Sequence, residues 1–308
     1  MPSSMLGLRW SSGGEAWCSA APDGLGFASS LRRSIPTLLR RRTLIPLRSP
    51  DDGGGGVVRS PDVVDLEYAD LNLRDLYGAG HLGHVRIRQH VNPLSSGFSA
   101  PVQVPDWQAV FQDSTLPLMV DIGCGSGRFL IWLAKNSPEP RNYLGLEIRQ
   151  KLVRRSDFWV NELGLRNIYF MFANASVSFE QLVSSYPGPL TLVSILCPDP
   201  HFKKRHHKRR VMQKPLVDSI SKNLCTEGQV FLQSDVLEVA LDMRNQFDVC
   251  SDEFEHIDTI DPNFLCDTQG WLLHNPMGIR TEREIHAELE GAKIFRRMYQ
   301  KRNHHLSG

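Results

Sequence analysis

The sequence predicts an α/β fold in which a mostly parallel sheet carries helices on both faces. From about residue 117 onward, short apolar segments alternate with segments of helical periodicity. Parallel strands need crossover connections, and strands that alternate with helices of roughly 10–15 residues indicate βαβ units. The predicted strands are 118–122, 143–148, 167–172, 190–196, 229–233 and 293–299. The predicted helices are 128–136, 150–163, 211–224 and 236–247.

The composition is that of a globular protein, and it excludes several functional classes. Of 308 residues, 41% are hydrophobic, and 35 Lys and Arg oppose 34 Asp and Glu, which gives a formal net charge of +1. This balance argues against a protein that acts mainly as a polycation on nucleic acid. No apolar stretch reaches the roughly 18–20 residues of a membrane helix, so we expect no membrane association. The six cysteines form no C-x-x-C pair, which predicts free thiols and no metal site.

Residues 1–56 have the composition of a targeting segment rather than of a folded domain. They hold seven arginines, no lysine and four acidic residues, with frequent serine and a closing run of glycines at 53–56. An Arg- and Ser-rich, acid-poor N-terminus is typical of organellar transit peptides. We expect a disordered leader that directs the chain to the chloroplast. The alternatives are the mitochondrion or, if the leader carries no address, the nucleus and cytoplasm.

Residues 57–115 form a less regular N-terminal extension ahead of the main domain, which we place at 116–308. Within the extension lies a dense basic cluster that includes Arg86, Arg88 and His90. Alternating apolar residues in this cluster predict a short strand or an extended arm with its basic residues on one face. A solvated surface segment is the alternative interpretation.

A glycine-rich loop between the first predicted strand and the first helix indicates a ligand site. Gly123, Gly125 and Gly127 follow Asp121 with the spacing G-x-G-x-G. Glycine has no Cβ and tolerates positive φ, so a ligand can approach such a backbone closely. Dinucleotide-binding loops require G-x-G-x-x-G, whereas position 128 is Arg. The spacing therefore argues against an NAD-dependent oxidoreductase and favours a ligand that places no phosphate at this loop.

Polar residues at the ends of the next two predicted strands extend this site. Glu147 lies near the end of the second strand, and Asn174 follows the third. Ligands of open α/β sheets bind beyond the carboxyl ends of the strands, where Glu147 can accept from two ribose hydroxyls and Asn174 can bond an adenine edge. Together with the glycine loop, these residues resemble the class I S-adenosyl-L-methionine-dependent methyltransferases. That resemblance implies a Rossmann-like fold, a mostly parallel seven-stranded sheet and S-adenosyl-L-methionine as cofactor.

The segment 198–210, which follows the fourth predicted strand, is the most informative in the chain. It begins with Pro-Asp-Pro, and residues 203–210 are all Lys, Arg or His. The two prolines restrict the backbone and aim the Asp199 carboxylate, which should stay ionised beside so many cations. A solvated or nuclear-import patch is the usual interpretation of such a basic run. Its place after the fourth strand, beside the expected donor, favours substrate binding instead.

With this segment the sequence resembles the tRNA (guanine-N7)-methyltransferases, whose hallmark is a Pro-Asp-Pro segment that runs into a K-x-x-H-x-x-R-type basic stretch. Three further blocks agree, at 86–90, 144–149 and 281–284. The likeness covers about residues 84–300 and implies that 116–308 is a methyltransferase domain. It also implies transfer of a methyl group to guanine N7 in tRNA, at position 46 in the variable loop.

Position by position, the resemblance implies a role for each matching residue. Asp199 is the candidate active-site acid. The candidate donor-binding residues are Asp121, Gly123, Gly125, Gly127, Glu147, Ile148, Asn174, Ala175 and Leu196. The candidate residues for guanosine and tRNA are Arg86, Arg88, His90, Lys203, Lys204, Arg205, Arg209, Arg210, Asp235, Thr281, Glu282 and Glu284.

The implied acceptor atom, guanine N7, is an exposed lone pair on the major-groove edge and carries no proton. Its methylation therefore needs no general base, and alignment of the two reactants can contribute about 7–11 kcal/mol. The base must first leave its stack. We therefore interpret Asp199 as a clamp that accepts hydrogen bonds from guanine N1–H and the 2-amino group, a pairing that adenine cannot offer.

Two alternatives of different class share part of this pattern. A class I methyltransferase for another RNA or a small molecule would share the glycine-rich loop at 123–127, which we call the donor loop. A non-catalytic RNA-binding protein would share the fold. Several residue choices, such as His201, resemble the eukaryotic branch of the family, which works with a WD-repeat partner. The transit-like leader favours action as a single subunit, with tRNA as the expected partner.

Overall fold

The strands form one sheet in the computed structural model, which describes residues 59–73, 76 and 91–303. The strands are β1 (Leu118–Ile122), β2 (Asn142–Glu147), β3 (Ile168–Phe172), β4 (Leu190–Leu196), β5 (Leu224–Ser234), β6 (Phe254–His256) and β7 (Phe295–Lys301). Their spatial order is β3-β2-β1-β4-β5-β7-β6. β1 to β5 are parallel, and β7 runs antiparallel to β5 and β6. This doubly wound order confirms the expected Rossmann-like, mostly parallel seven-stranded sheet.

Helices connect the strands and cover both faces of the sheet. They are α1 (Ser60–Glu67), α2 (Trp107–Val110), α3 (Arg128–Asn136), α4 (Gln150–Glu162), α5 (Ala175–Ser184), α6 (Lys214–Asn223), α7 (Leu237–Asp248), α8 (Ile257–Ile260) and α9 (Glu282–Leu289). Leu118, Val120 and Ile122 of β1 face a core cluster that includes α5, α6 and α7. α3 and α4 contact β2 and β3, and their buried side chains lie outside that cluster. No helix in the described ranges is long and apolar enough to cross a membrane.

The boundaries differ from the sequence prediction where short-range signals mislead. β5 begins at Leu224, which pairs with Leu190 of β4, instead of at 229. Between Leu224 and Gln229 the pairing shifts register, and Glu227 adopts a left-handed conformation there (φ 63°). Glu227-Gly228 therefore resembles a turn in the sequence but lies inside a strand. α6 begins at Lys214, where a proline in the first turn favours helix initiation, and not at 211. β6 has three residues, too few for a periodic signal.

Part of the N-terminal extension packs on the main domain. The Tyr68 hydroxyl donates to the carbonyl oxygen of Arg280, and Glu67 forms a buried ion pair with Arg280 at 2.6 Å. Trp132 on α3 donates to Asp70 at 3.2 Å. α1 and the turn after it are thus joined to the start of α9 and to α3. The predicted leader at 1–56 and the predicted basic arm with Arg86, Arg88 and His90 lie outside the described residues.

Candidate functional site

An open cleft lies at the carboxyl ends of the parallel strands. It is lined by residues that end or follow β1, β2, β3 and β4. Parallel pairing brings these strand ends to one edge of the sheet, so residues from distant parts of the chain share the cleft. The predicted site residues that line it are Gly123, Glu147, Ile148, Asn174, Ala175, Asp199 and Arg209.

The glycines of the donor loop are required for two different reasons. Gly123 has φ +80°, and a Cβ added there would have no atom within 4 Å, so its backbone is open on that side. Gly127 has φ +79°, and a Cβ there would lie 2.5 Å from Ser156 Oγ and 2.8 Å from Phe170 Cζ. Gly123 therefore leaves room beside the cleft, whereas Gly127 permits close packing of the loop on α4 and β3. Gly125, with φ +58°, also needs the left-handed conformation and does not line the cleft.

Asp121 is buried in β1 and does not line the cleft. Its carboxylate accepts a hydrogen bond of 2.7 Å from the Ser194 hydroxyl on the neighbouring strand β4. Burial raises the pKa of Asp121 from 3.8 to about 7, and the nearby charge of Glu147 adds to the rise, against the hydrogen bond from Ser194. The structure thus places Asp121 beneath the donor loop rather than at the cleft surface.

Glu147 is buried at the end of β2, and its carboxylate already has several hydrogen-bond partners. It accepts from the backbone N–H of Gly125 at 3.0 Å and from the backbone N–H of Arg149 at 2.9 Å. The Arg149 guanidinium also donates to both carboxylate oxygens, at 2.9 and 3.1 Å. Burial lowers the pKa of Arg149, but the hydrogen bonds to Glu147 outweigh it and raise the pKa overall. Glu147 therefore both orders the glycine loop and holds a cation in the cleft.

Asn174 has a local structural role in addition to its place in the cleft wall. Its side-chain oxygen caps α5 by accepting from the Ser176 N–H at 3.2 Å. Its amide donates to the carbonyl oxygens of Pro93 and Phe98 at 3.1 and 3.2 Å, which attaches the segment before α2 to the cleft. Both amide N–H groups are used in this way, whereas the side-chain oxygen keeps a second lone pair that can accept from an adenine amino group, so the predicted adenine contact stays a prediction.

Asp199 lines the cleft on a loop with two left-handed residues that are not glycine. Cys197 has φ +49° and His201 has φ +45°, a conformation that costs about 1–3 kcal/mol per residue. The Cys197 N–H bonds the Gln233 carbonyl oxygen of β5 at 2.7 Å. At the other end, Arg210 donates to the Pro200 carbonyl oxygen at 2.9 Å. These two contacts hold the loop in a strained conformation that fixes the position of Asp199.

The basic run after Asp199 is divided by the fold into an exposed part and a buried part. The side chains of Lys203, Lys204, Arg205 and Lys208 are exposed. Arg210 is only 5% exposed and pairs with Glu238 and Asp242 of α7 at 2.7 and 3.1 Å. The Arg210 guanidinium is therefore directed to α7 and to the Pro200 carbonyl oxygen, and its contact with tRNA stays a prediction. Arg209 lines the cleft, and its buried Nε has no hydrogen-bond partner among the described residues.

The 281–284 motif forms the first turn of α9, and most of its polar groups have partners within the protein. Glu284 is fully buried and accepts from Arg296 at 2.5 Å and from Gln233 at 3.1 Å. With Thr281 it also completes a capping box. Glu284 is therefore engaged within the protein in this structure, and its contact with substrate stays a prediction. Glu282 pairs with Arg128.

Two further predicted site residues lie beside the cleft rather than in it. Asp235 pairs with Arg283 at 2.5 Å, directly after β5. Leu196, the last residue of β4, is half-buried, pairs in register with Gln233 and does not line the cleft.

Arg149 and Cys197 line the cleft but were not among the predicted site residues. Arg149 could have been found from the sequence, because it follows Glu147 by two positions in the matching strand-2 block. Cys197 has no such signal. Burial raises the pKa of its thiol to about 12, with a further rise from the nearby charge of Asp235, so the thiol remains protonated at neutral pH. We therefore assign Cys197 no nucleophilic role.

A family model described as "Putative methyltransferase" matches residues 115–297. Among solved structures, an rRNA methylase from Streptococcus thermophilus is similar over 64% of this chain and 92% of its own length, at 13% identity and a TM-score of 0.39. The strand order, the glycine loop and Glu147 define a class I S-adenosyl-L-methionine-dependent methyltransferase.

Relatives in cyanobacteria define the family more closely. A tRNA (guanine-N(7)-)-methyltransferase of Synechococcus sp. (strain JA-2-3B'a(2-13)) is 48% identical over 66% of this chain and 79% of its own length. The protein of that name from Synechococcus elongatus is 44% identical over 71% of this chain and 97% of its own. The one from Microcystis aeruginosa is 43% identical, over 72% and 100%. The chain belongs to the tRNA (guanine-N7)-methyltransferase family, which confirms the resemblance in the sequence.

The cleft residues fit the methyl donor of this class. The buried Glu147 carboxylate lies beside the open backbone of Gly123, where ribose hydroxyls could replace the Arg149 guanidinium as hydrogen-bond donors. Ile122, Ile148 and Val211 provide apolar surface for a purine ring. Glu147, Gly123 and these apolar side chains are therefore the residues that would hold the donor.

Replacement of Asp121 by Asn should stabilise the protein more at pH 8 than at pH 5. The folded protein retains a proton on Asp121 up to about pH 7, whereas the unfolded chain releases it near 3.8. The free energy of unfolding therefore falls between these pH values, by up to about 1.4 kcal/mol per pH unit. The asparagine side chain would carry no such proton and would still accept from Ser194. Thermal unfolding at both pH values measures the difference.

Asp113→Asn is the matched control for this experiment. Asp113 is exposed, and hydrogen bonds from Thr115 lower its pKa. Because its contribution is complete above the usual carboxyl pKa, the Asn variant should lose the same stability at pH 5 and at pH 8. An equal change in melting temperature at both pH values for Asp121→Asn would contradict the prediction.

Proposed function

We propose that this protein transfers the methyl group of S-adenosyl-L-methionine to N7 of guanosine in tRNA, at position 46 in the variable loop. The observation that carries the proposal is that Asp199 shares one cleft with Gly123 of the donor loop and is followed, from Lys203 on, by exposed cations. The printed names of the cyanobacterial relatives support the same activity. When bound, the donor supplies an electrophilic methyl group on its sulfonium.

Asp199 is suited to orient guanine rather than to remove a proton. The N7 lone pair is free, so the reaction has no proton for a base to accept. The left-handed residues on both sides of Asp199 hold its carboxylate in place, as alignment of reactants requires. A carboxylate can accept from guanine N1–H and the 2-amino group together, and it stabilises the positive charge that develops on the purine. Adenine lacks this pair of donors.

Arg209 and the exposed cations are suited to bind the tRNA backbone and the target nucleotide. Arg209 lines the cleft, so its guanidinium is placed to contact the target nucleotide, and its buried Nε has no hydrogen-bond partner among the described residues. Lys203, Lys204 and Arg205 lie outside the cleft on the same short segment and can contact phosphates. Arg210 attaches this segment to α7 through its ion pairs with Glu238 and Asp242.

Replacement of Asp199 by Asn should reduce methyl transfer to tRNA by at least about 100-fold in kcat/KM. The amide of the variant would place an N–H donor where the carboxylate accepts from guanine, and the negative charge would be lost. Binding of S-adenosylhomocysteine should change less than about threefold, since the donor-side contacts remain. The measurement is methyl incorporation into tRNA by the purified chain, with the site mapped by borohydride and aniline cleavage. Asp218→Asn, an exposed carboxylate on α6 that pairs with Lys214, is the matched control. Full activity of the Asp199 variant, or methylation at another nucleotide, would contradict the proposal.

The triple variant Lys203→Ala, Lys204→Ala, Arg205→Ala should bind tRNA more weakly and with a flatter salt dependence. Each lost phosphate contact reduces the slope of log K against log salt concentration by about 1, so the slope should fall by up to about 3. Filter binding between low and high salt measures it. Lys222→Ala with Arg302→Ala is the control, because both cations are exposed near the opposite edge of the sheet. An unchanged slope in the triple variant would show that these residues do not contact phosphates.

We infer further that the protein acts in the chloroplast and as a single subunit. The composition of 1–56 supports import, and the alignment to the Synechococcus elongatus relative covers 97% of that protein but 71% of this chain. Chloroplasts derive from cyanobacteria, which is consistent with cyanobacterial relatives. A fusion of residues 1–56 to a fluorescent protein should enter chloroplasts, and a mitochondrial, nuclear or cytoplasmic signal would overturn this assignment.

Methylation by the purified chain alone tests the single-subunit proposal.

A further inference from the structure

Arg128 connects the donor loop to α9. It is the first residue of α3 and directly follows Gly127. A cation at a helix N-terminus is disfavoured by about 0.3–1 kcal/mol, because the helix dipole is positive there. The Arg128 guanidinium nevertheless lies 4.8 Å from the centre of the Trp159 ring and donates to Glu282. The side chains of Arg128 and Glu282 are 15% and 29% exposed, so the ion pair is largely shielded from water.

The first turn of α9 reaches three separate parts of the molecule through three consecutive residues. Glu282 pairs with Arg128 at the donor loop. Arg283 pairs with Asp235, which directly follows β5, at 2.5 Å. Glu284 accepts from Arg296 of β7 and from Gln233 of β5 in the interior. A movement of this turn would therefore change contacts at the donor loop, at the end of β5 and in the core.

The third connection continues to the acceptor side of the cleft. Gln233 bonds Glu284 through its side chain and accepts from the Cys197 N–H through its carbonyl oxygen. Cys197 begins the strained loop that carries Asp199. The contacts Arg128–Glu282, Glu284–Gln233 and Gln233–Cys197 thus form a continuous path from the donor loop to the Asp199 loop.

We propose that Arg128 and Glu282 are positioning residues that couple the two halves of the cleft, so that donor binding and tRNA binding strengthen each other. This inference rests on the proposed function, because it needs tRNA as the second ligand. The coupling is reciprocal by thermodynamic linkage, and such couplings are typically 5–150-fold. Neither residue lines the cleft, so both act through the segments they join.

The test measures binding of S-adenosylhomocysteine, which supports no turnover, by calorimetry with and without saturating tRNA. For the natural sequence we expect the affinity to be at least about fivefold tighter with tRNA. Arg128→Met keeps an apolar stem against Trp159 and removes the charge, and Glu282→Gln removes the other charge. Each should bring the ratio of affinities close to one. In the double variant the ratio should fall no further, because both changes break one connection.

Controls separate this role from a general effect on folding or on substrate binding. Arg302→Met breaks the partly exposed pair with Glu255 of β6 and should leave the affinity ratio unchanged. Arg128→Lys keeps the charge and should restore part of the coupling, and all variants are compared by thermal unfolding. In kinetics, Arg128→Met should raise the KM for the donor at saturating tRNA more than it lowers kcat.

Several outcomes would overturn the inference. A ratio near one for the natural sequence would show that the two sites are independent. Single variants that keep the natural ratio, or losses that add in the double variant, would show that Arg128 and Glu282 do not form the link. Failure of the natural chain to bind tRNA would instead refute the proposed function, and donor binding without tRNA would then still be intact.

Discussion

The parallel pairing of β1 to β5 is the constraint on which the site depends. Because these strands run in one direction, the loops that follow them leave the sheet at a single edge. The donor loop, Glu147, Asn174 and the Asp199 loop come from four different strand ends and could not meet in an antiparallel meander. Antiparallel β7 pairs with β5 on the side opposite β4. It also supplies Arg296, which donates to the buried Glu284 carboxylate.

Two left-handed residues beside this edge and the buried carboxyl of Glu284 are each stabilised by specific contacts. The left-handed Cys197 and His201 are held by the Gln233 carbonyl oxygen and, through Pro200, by Arg210. The buried carboxyl of Glu284 would be costly alone, and burial does raise its pKa, but hydrogen bonds from Arg296 and Gln233 oppose that rise. These contacts place Asp199 and Glu284 in defined positions without a ligand, as catalysis by alignment of reactants requires.

The sequence predicted the fold and the location of the site well, because both depend on local signals. Alternating strands and helices specify the sheet, and glycines, a carboxylate and the Pro-Asp-Pro segment mark its carboxyl edge. The roles of single polar side chains were harder to predict. Asn174 caps a helix and Arg210 pairs with α7, and in both cases the partner lies in a distant part of the chain or depends on the start of an element. A run of identical charges contains no information about which of them will face another helix.

The sequence by itself determined the class of fold, the family, the glycine loop and the presence of a basic run after Asp199, because each of these is encoded in contiguous residues. The tertiary structure decided which of the basic side chains remain exposed, that Asp121 is buried with a raised pKa, and that Glu282 pairs with Arg128. Those outcomes depend on packing between elements that are far apart in the chain. Burial and pairing energies exist only once the elements are assembled, since they arise from the loss of water around both partners.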